Sequence, residues 1–401
     1  MNPKLAKEKD CTGCLACIDA CKHQAIIIKK KNGHNYVEII KSKCIDCKLC
    51  EKSCPIINPI NKNENSTITI YGGWCKNIDY RKKSASGGAF SALALDTLEN
   101  NGIVIGAALD NNSVNHIIVS NKNELLKVQN SKYIQSDTLG IYRQTKQLLK
   151  DGKKVLFSGT PCQIAGLNSF LRKEYDNLTT IDLICNGIPS EKAIDYFIKQ
   201  ELPLNIISFR DKTFGWSSLK SQSLTWENSE KSICKNNRDT DIFYNIFSTG
   251  LTHRRICCHC PFSKLPRQAD ITIADFWGIK RFESEWNNGI SLIIANNNKG
   301  EKILKDSKNL ILFESSLKEC IYANPRLING KKYHEYHPIM LFPSIKNIIP
   351  EKIYRGIIQN KMPYKLLWAP SKILTILSNR RKIKMLFKDE KDRYNNNIQS
   401  K

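Results

Sequence analysis

CTGCLACIDAC (Cys11–Cys21) and CIDCKLCEKSCP (Cys44–Pro55) place eight cysteines in two matching runs. Both follow C-x2-C-x2-C-x3-C, and each cysteine of the second run lies 33 positions after its counterpart in the first. Two intervening residues let a tight turn aim three sulfurs at one point, while the fourth arrives from across the pseudo-symmetric pair. Between the runs, AIIIKKKNGHNYVEII (25–40) alternates apolar and polar residues around Asn32-Gly33, the signature of a β-hairpin. Residues 1–60 therefore read as a small two-fold module.

The spacing is that of the bacterial ferredoxin run, in which the fourth cysteine of each run ligates the other cluster. One 4Fe–4S cluster falls to Cys11, Cys14, Cys17 and Cys54, the other to Cys44, Cys47, Cys50 and Cys21. Pro55 follows Cys54 as the run expects, whereas Lys22 stands where the other proline would be. Zinc alone would fill two thiolate tetrahedra and has no use for this register. Such a module moves single electrons; its spacing names neither donor nor acceptor.

The whole chain has 401 residues, enough for two or three domains with a buried core. Its start, MNPKLAKEKDC, has no apolar run, and no later segment approaches a membrane span, so a cytoplasmic protein is expected. Sixteen cysteines in such a chain point to metal or redox work rather than disulfides. The formal charge of +24 is spread over dispersed lysines. It fits a generally basic surface, or attraction to an anionic substrate or acidic redox protein. Nucleic acid is not expected, because no recognition motif accompanies the charge.

NKNENST (61–67) is polar and aperiodic, so 61–70 is read as a linker. From Tyr71 the texture changes. GIVIGAAL, KVLFSG, TTIDLIC, ADITIADF and SLIIAN read as strands. SGGAFSALALDTLENN, PCQIAGLNSFLRKEY and PSEKAIDYFIKQEL have helical spacing. The expected class is α+β or α/β, with the larger mixed domain over 71–337.

Two junctions in that domain carry chemistry. KSASGGAF (83–90) is a Gly-rich turn opening a helix, either a phosphate cradle or a simple cap. KKVLFSGTPCQIAG reads strand, Gly159-Thr160-Pro161 turn, then a helix with Cys162 in its first turn, where the helix N-terminus is expected to lower the thiol pKa. Cys185 ends the next strand, where α/β proteins put functional groups. RRICCHC (254–260) supplies Cys257 and Cys260. With Cys162 and Cys185 these make four ligands, the number a further cubane needs. Cys258/Cys260 is the alternative pair, with a poorer one-residue spacer. Cys75, Cys234 and Cys320 read as small buried hydrophobes.

SASGGAF, SKYIQSDTLG, GTPCQIAGL, DLICNGIPS, FRDKTFGW, RRICCHC and ADITIADFWGI, in that order, resemble the coenzyme F420 hydrogenase/dehydrogenase beta-subunit family. The likeness spans roughly Tyr71 to Gly289 and includes the preceding two-cluster module. It implies a flavoprotein that binds FAD and carries a third 4Fe–4S cluster, on Cys162, Cys185, Cys257 and Cys260. Electrons would pass between clusters and flavin, and as hydride to or from a soluble acceptor, coenzyme F420 in archetypal members. The resemblance maps candidate FAD contacts onto Ser84, Ser86, Gly87, Gly88, Ser131, Lys132, Tyr133 and Ser136, to which Gly159 and Thr160 are added. Asn186 replaces the family's histidine and Ala274 precedes Asp275 in place of its glycine, which leaves the acceptor open. Asp275 and Lys132 sit in motif blocks as polar residues whose role is catalytic or structural. The implied partners are a redox protein or subunit and a small-molecule acceptor or donor. A non-catalytic relay subunit, or a structural zinc in the central domain, is the alternative.

His334 and His337 lack a third metal partner, so they read as ordinary histidines. Residues 338–401 are expected to form a basic helical extension. SKILTILSNRRKIKMLFK (371–388) is amphipathic, with Arg380, Arg381, Lys382 and Lys384 off its apolar face. It suits docking on protein or peripheral contact with a membrane.

Overall fold

The computed structural model describes residues 3–60, 62–191, 205–213, 215–216, 224–227, 233–236, 244, 247 and 253–329. The chain divides into compact units at 1–331 and 332–401. The basic extension with its helix at 371–388, His334, His337, most of the expected helix at 189–202 and the side chain of Cys234 lie outside the described residues.

Within the N-terminal sixty residues, helices α1 (Ala16–Ala20) and α2 (Leu49–Lys52) flank the hairpin β1 (Ile26–Lys31) and β2 (His34–Ile39). Asn32 and Gly33 join the strands at φ 53° and 71°, the left-handed pair that a type I′ turn demands. The two-fold repeat extends to the backbone. Gly13 and Leu15 in the first run have φ of 70° and 60°; Asp46 and Lys48, their counterparts, both have 56°. Left-handed backbone costs a leucine or lysine about 1–2 kcal/mol, so its recurrence marks a loop shaped for its three sulfurs.

The larger fold is built on an eight-stranded sheet. Its strands are β3 (Thr69–Cys75), β4 (Ile103–Asp110), β5 (Ser113–Val119), β6 (Val155–Gly159), β7 (Leu178–Leu183), β11 (Ile271–Asp275), β12 (Ser291–Ala295) and β13 (Leu310–Glu314). A separate antiparallel sheet holds β8 (Asn205–Ser208), β9 (Leu224–Glu227) and β10 (Ile233–Asn236). The large sheet runs β13-β3-β12-β11-β7-β6-β4-β5. Its centre, β4-β6-β7-β11, is parallel, and the remaining pairs are antiparallel. This is the mixed α/β architecture expected, with α7 (Pro161–Leu171) as the crossover from β6 to β7.

Parallel strands must be covered on both faces, and successive side chains divide between them. Val104 and Leu156 pack with Ala92, Leu93 and Leu95 of α4 (Ala89–Glu99). Ile105, Val155 and Phe157 pack with Ile141 and Leu149 of α6 (Ile141–Lys150) and Ile164 and Leu167 of α7. Cys14 and Ala16 of the N-terminal module enter this second core. Each large apolar side chain so buried contributes roughly 1.5–3 kcal/mol.

Two expectations shift. Strand β3 begins at Thr69, inside the stretch read as linker. It escapes notice because two glycines occupy its middle: a Cβ on Gly72 would lie 2.2 Å from the Phe313 ring, and one on Gly73 2.2 Å from the Ile311 carbonyl oxygen. The preceding polar residues are tied to the fold. Asn63 donates to the Arg267 and Ala269 carbonyls at 3.0 and 2.9 Å, and Lys62 meets Asp270 at 3.2 Å. Among the described residues no helix is long and apolar enough to cross a membrane.

Candidate metal centres

The eight N-terminal thiols sort themselves around two cavities. Cys11, Cys14, Cys17 and Cys54 line one, with Leu5, Val37 and Ile56. Cys21, Cys44, Cys47 and Cys50 line the other, with Ile26, Ile39 and Lys48. Each cavity thus takes three sulfurs from one run and the fourth from the other. Their surroundings differ: Cys11, Cys14 and Cys54 are buried, whereas Cys47 is exposed and Cys44 half-buried. Burial pushes the Cys14 thiol up to about 12 and Cys50 to about 11. Proton-bearing thiols gain nothing from such a cavity, but an iron core supplies the positive charge that makes thiolates stable there.

A third set gathers at the C-terminal edge of the sheet. Cys162 sits in the first turn of α7, Cys185 just beyond β7, Cys257 on a 3-10 turn at Arg255–His259, and Cys260 at that turn's C-terminal cap. The four act on one another electrostatically: Cys162 feels Cys260 and Cys185, and Cys257 feels Cys185 and Cys260. Cys258 is 3% exposed, and Cys75 and Cys320 are also buried. The depressed thiol pKa expected of Cys162 does not hold. Burial and then the nearby Cys260 push it well up, outweighing the hydroxyl of Thr160 at 3.2 Å. Helix α7 is still firmly capped, with Thr160 and Gln163 in a reciprocal box and Pro161 at its first turn. Among the described residues no group of three or more His, Cys, Asp or Glu is disposed to hold a metal ion. A zinc at roughly 2.3 Å from each sulfur requires thiols drawn closely together. A cubane interposes its own core and holds its ligands wider apart.

Helix α7 joins two of these sets. Gly166, one turn beyond Cys162, presents so little bulk that a Cβ there would lie 3.0 Å from the Cys14 sulfur. Cys14 is also among the thiols that raise Cys162.

The N-terminal module is docked through its backbone. Asp19, 3% exposed, accepts from the N–H groups of Gly140 (2.7 Å) and Tyr142 (3.0 Å), capping α6 where Gly140 has no side chain to do so. Thr138 donates to the Cys14 carbonyl at 2.9 Å, and Gln135 to that of Gly13 at 3.0 Å. Arg254 reaches the Cys11 carbonyl at 3.2 Å.

A polar junction ties together the blocks that bear Ser86 and Tyr133, two of the candidate FAD contacts. Arg210, from FRDKTFGW, donates to Asp275 (3.0 Å), the Ala85 carbonyl (3.0 Å) and Tyr133 Oη (3.3 Å), tying three sequence blocks together. Lys212 donates to the carbonyls of Arg81 (2.8 Å), Asn288 (2.6 Å) and Ser86. Lys132 donates to those of Gln129 (2.5 Å) and Lys127 (3.2 Å). Burial lowers both lysines to about 7, since carbonyl dipoles replace water less than fully. Trp216 stacks on Trp277 at 4.7 Å and donates its indole N–H to Asp275 at 3.0 Å. Several expected contacts are already engaged. Ser84 bonds the Tyr80 carbonyl and Ser91, Ser86 the Ile290 carbonyl, and Ser136 the ring of His116 at 2.5 Å. Ser131 follows Asn130, whose side chain accepts its N–H. Gly87 fits tightly, since a Cβ there would lie 2.6 Å from both the Gly73 oxygen and the Ser291 nitrogen, while Gly88 opens α4 at φ 83°. Gly159 and Thr160 lie at the end of β6, beside Gln163. Arg210, Lys212, Trp216 and Trp277 were not among the expected contacts; their signal was the cation- and tryptophan-bearing blocks FRDKTFGW and ADFWGI.

The sequence matches three family models: the coenzyme F420 hydrogenase/dehydrogenase beta-subunit N terminus over residues 70–143, its C terminus over 152–316, and a 4Fe-4S dicluster domain over 10–56. No curated protein matches the chain. Among solved structures, one described as xenon derivatization of the F420-reducing [NiFe] hydrogenase complex from Methanosarcina barkeri matches with 13% identity and a TM-score of 0.46. The match covers 67% of this chain and 91% of that one.

Proposed function

Because this chain belongs to the coenzyme F420 hydrogenase/dehydrogenase beta-subunit family and carries a 4Fe-4S dicluster domain, we propose that it is an iron–sulfur flavoprotein oxidoreductase. In this reading it exchanges electrons with a redox partner at one end and a small-molecule acceptor or donor at the other. The observation that carries the proposal is the series of three thiol sets, running from solvent into the sheet edge. In the outer set Cys47 is exposed; in the inner set Cys11, Cys14 and Cys54 are buried; Cys14 then meets α7 one turn beyond Cys162. When bound, clusters carry electrons singly and FAD converts between one- and two-electron transfer.

The chain's own residues suit that load. Lys132 and Lys212 hold ammonium groups against backbone carbonyls, and a pyrophosphate there would give each a full counter-charge. The stacked Trp216 and Trp277 offer a flat apolar surface beside Asp275. The close approach of Gly87 to Gly73 of β3 holds the loop that opens α4 against the sheet. The engaged hydroxyls of Ser84 and Ser136 favour one rival, a relay subunit without flavin.

Anaerobic purification with iron, sulfide, zinc and flavin assays separates the readings. About twelve irons per chain with FAD is the expected result. About eight irons without flavin would establish the relay subunit, and eight with one zinc would assign the third thiol set a structural role. Screening F420, nicotinamides and ferredoxin as reductants then identifies the acceptor and the direction of flow.

A further inference from the structure

Of the four arginines buried among the described residues, three meet a carboxylate. Arg81 meets Glu285, Arg210 meets Asp275, and Arg267 meets Asp182. Arg254, only 1% exposed, meets no carboxylate among the described residues. Its guanidinium donates to the carbonyls of Cys11 (3.2 Å) and Asn35 (2.7 Å) and to Gln135 Oε1 (2.9 Å), and lies 4.8 Å above the Tyr36 ring. Its Nε–H is buried with no acceptor among the described residues. A lone buried cation is strongly unfavourable unless something negative stands near it.

The two ends of Arg254 lie on two different thiol sets. Its carbonyl accepts from the N–H of Cys257 at 2.9 Å, opening the turn that bears Cys257 and Cys260. Its side chain reaches the first run, packed so closely that a Cβ on Gly13 would lie 2.6 Å from Nη2. Gly13 falls between the ligand candidates Cys11 and Cys14.

We propose that Arg254 is the buried counter-cation of the cluster on Cys11, Cys14, Cys17 and Cys54, and that it holds that cluster's reduction potential up. The inference rests on the iron–sulfur reading above. Four thiolates outweigh the positive charge of a cubane, and reduction adds one more negative charge. A cation fixed nearby in a poorly screened interior therefore favours the reduced form. The free Nε–H adds a donor for sulfur, which acts in the same direction. The position beside Cys257 also places this charge next to the third set, where it offsets repulsion between electrons held on neighbouring centres.

The test compares full-length wild type, R254Q and R254K, purified anaerobically and titrated redox-potentiometrically with EPR detection. The expected result is a more negative midpoint for the inner N-terminal cluster in R254Q and a near-wild-type value in R254K. The cluster on Cys21, Cys44, Cys47 and Cys50 should stay unmoved in both. R254Q with full iron and a wild-type midpoint would overturn the proposal, as would equal shifts in R254Q and R254K. Should R254Q lose iron, R254K decides: an unmoved midpoint supports the role of charge, and a negative shift overturns it. Wild type without iron would instead remove the iron–sulfur reading, and this inference with it.

Discussion

Replacing His116 by glutamine should abolish a defined part of the protein's acid sensitivity. His116 is buried, 7% exposed, on β5. Its Nε2 lies 2.9 Å from the Ser158 carbonyl, which can only accept, so Nε2 carries the proton. Nδ1 is then bare and accepts from Ser136 Oγ at 2.5 Å. A second proton would charge a ring stacked on Phe157 and turn Nδ1 into a donor. Burial accordingly lowers the pKa to about 4, against roughly 6.5 in an unfolded chain. A depressed folded value means that the stability His116 contributes is present above about pH 6.5 and lost as pH falls toward 4. Integrated between pH 7.5 and pH 5, that loss comes to about 2 kcal/mol. His116→Gln keeps a donor for Ser158 and cannot ionise. Denaturant unfolding followed by circular dichroism, at both pH values and in the same iron state, should show wild type losing about 2 kcal/mol more than the variant. Parallel losses in the two proteins would refute the tautomer and the buried-neutral assignment together.

Asp19→Ala should uncap α6 and loosen the N-terminal module at a cost of about 1–3 kcal/mol, read as a lower denaturant midpoint and faster proteolysis between residues 54 and 69, with Asp19→Asn intermediate. Gly166→Val should press on the Cys14 sulfur and cost about 1–3 kcal/mol by overpacking, whereas Gly166→Ala should be mild; a stable Gly166→Val protein with full iron would contradict the close approach. Cys162→Ser should remove about four irons per chain while leaving the signals of the two N-terminal clusters. Unchanged iron in that variant would separate Cys162 from Cys185, Cys257 and Cys260.

The parts legible in the sequence were those whose cause is local. The Asn32-Gly33 hairpin follows from turn chemistry, and β6, β7, β11 and β12 announce themselves as short apolar runs because both faces of the sheet are covered. Strand β3 hid because its Gly72-Gly73 pair answers to Phe313 and Ile311, some 240 residues away. The partition of the eight N-terminal thiols was readable because it depends on a repeat. The roles of Asp19 and Arg254 were not, since each is defined by what it meets 121 and 243 residues along the chain. Arg210 and Lys212 stood in plain view in FRDKTFGW, but nothing local says that they face Ala85, Ser86 and Asp275.

The docking of the first module has a consequence for how the protein is made. All eight of its cysteines have been synthesised by residue 54, but the groups that close over it come much later: Gln135 and Gly140, then Gly166, and last Arg254. Since domains fold in the order of synthesis, two hundred residues of translation separate the completion of the first two ligand sets at Cys54 from the arrival of Arg254. During that interval the inner cavity stands open to whatever delivers iron and sulfide. The third set becomes complete only at Cys260, six residues after the residue that shuts the first. In the proposed iron–sulfur reading, maturation would thereby have a sequence: the two N-terminal centres could be loaded on the nascent chain, and the third only after Arg254 has been made.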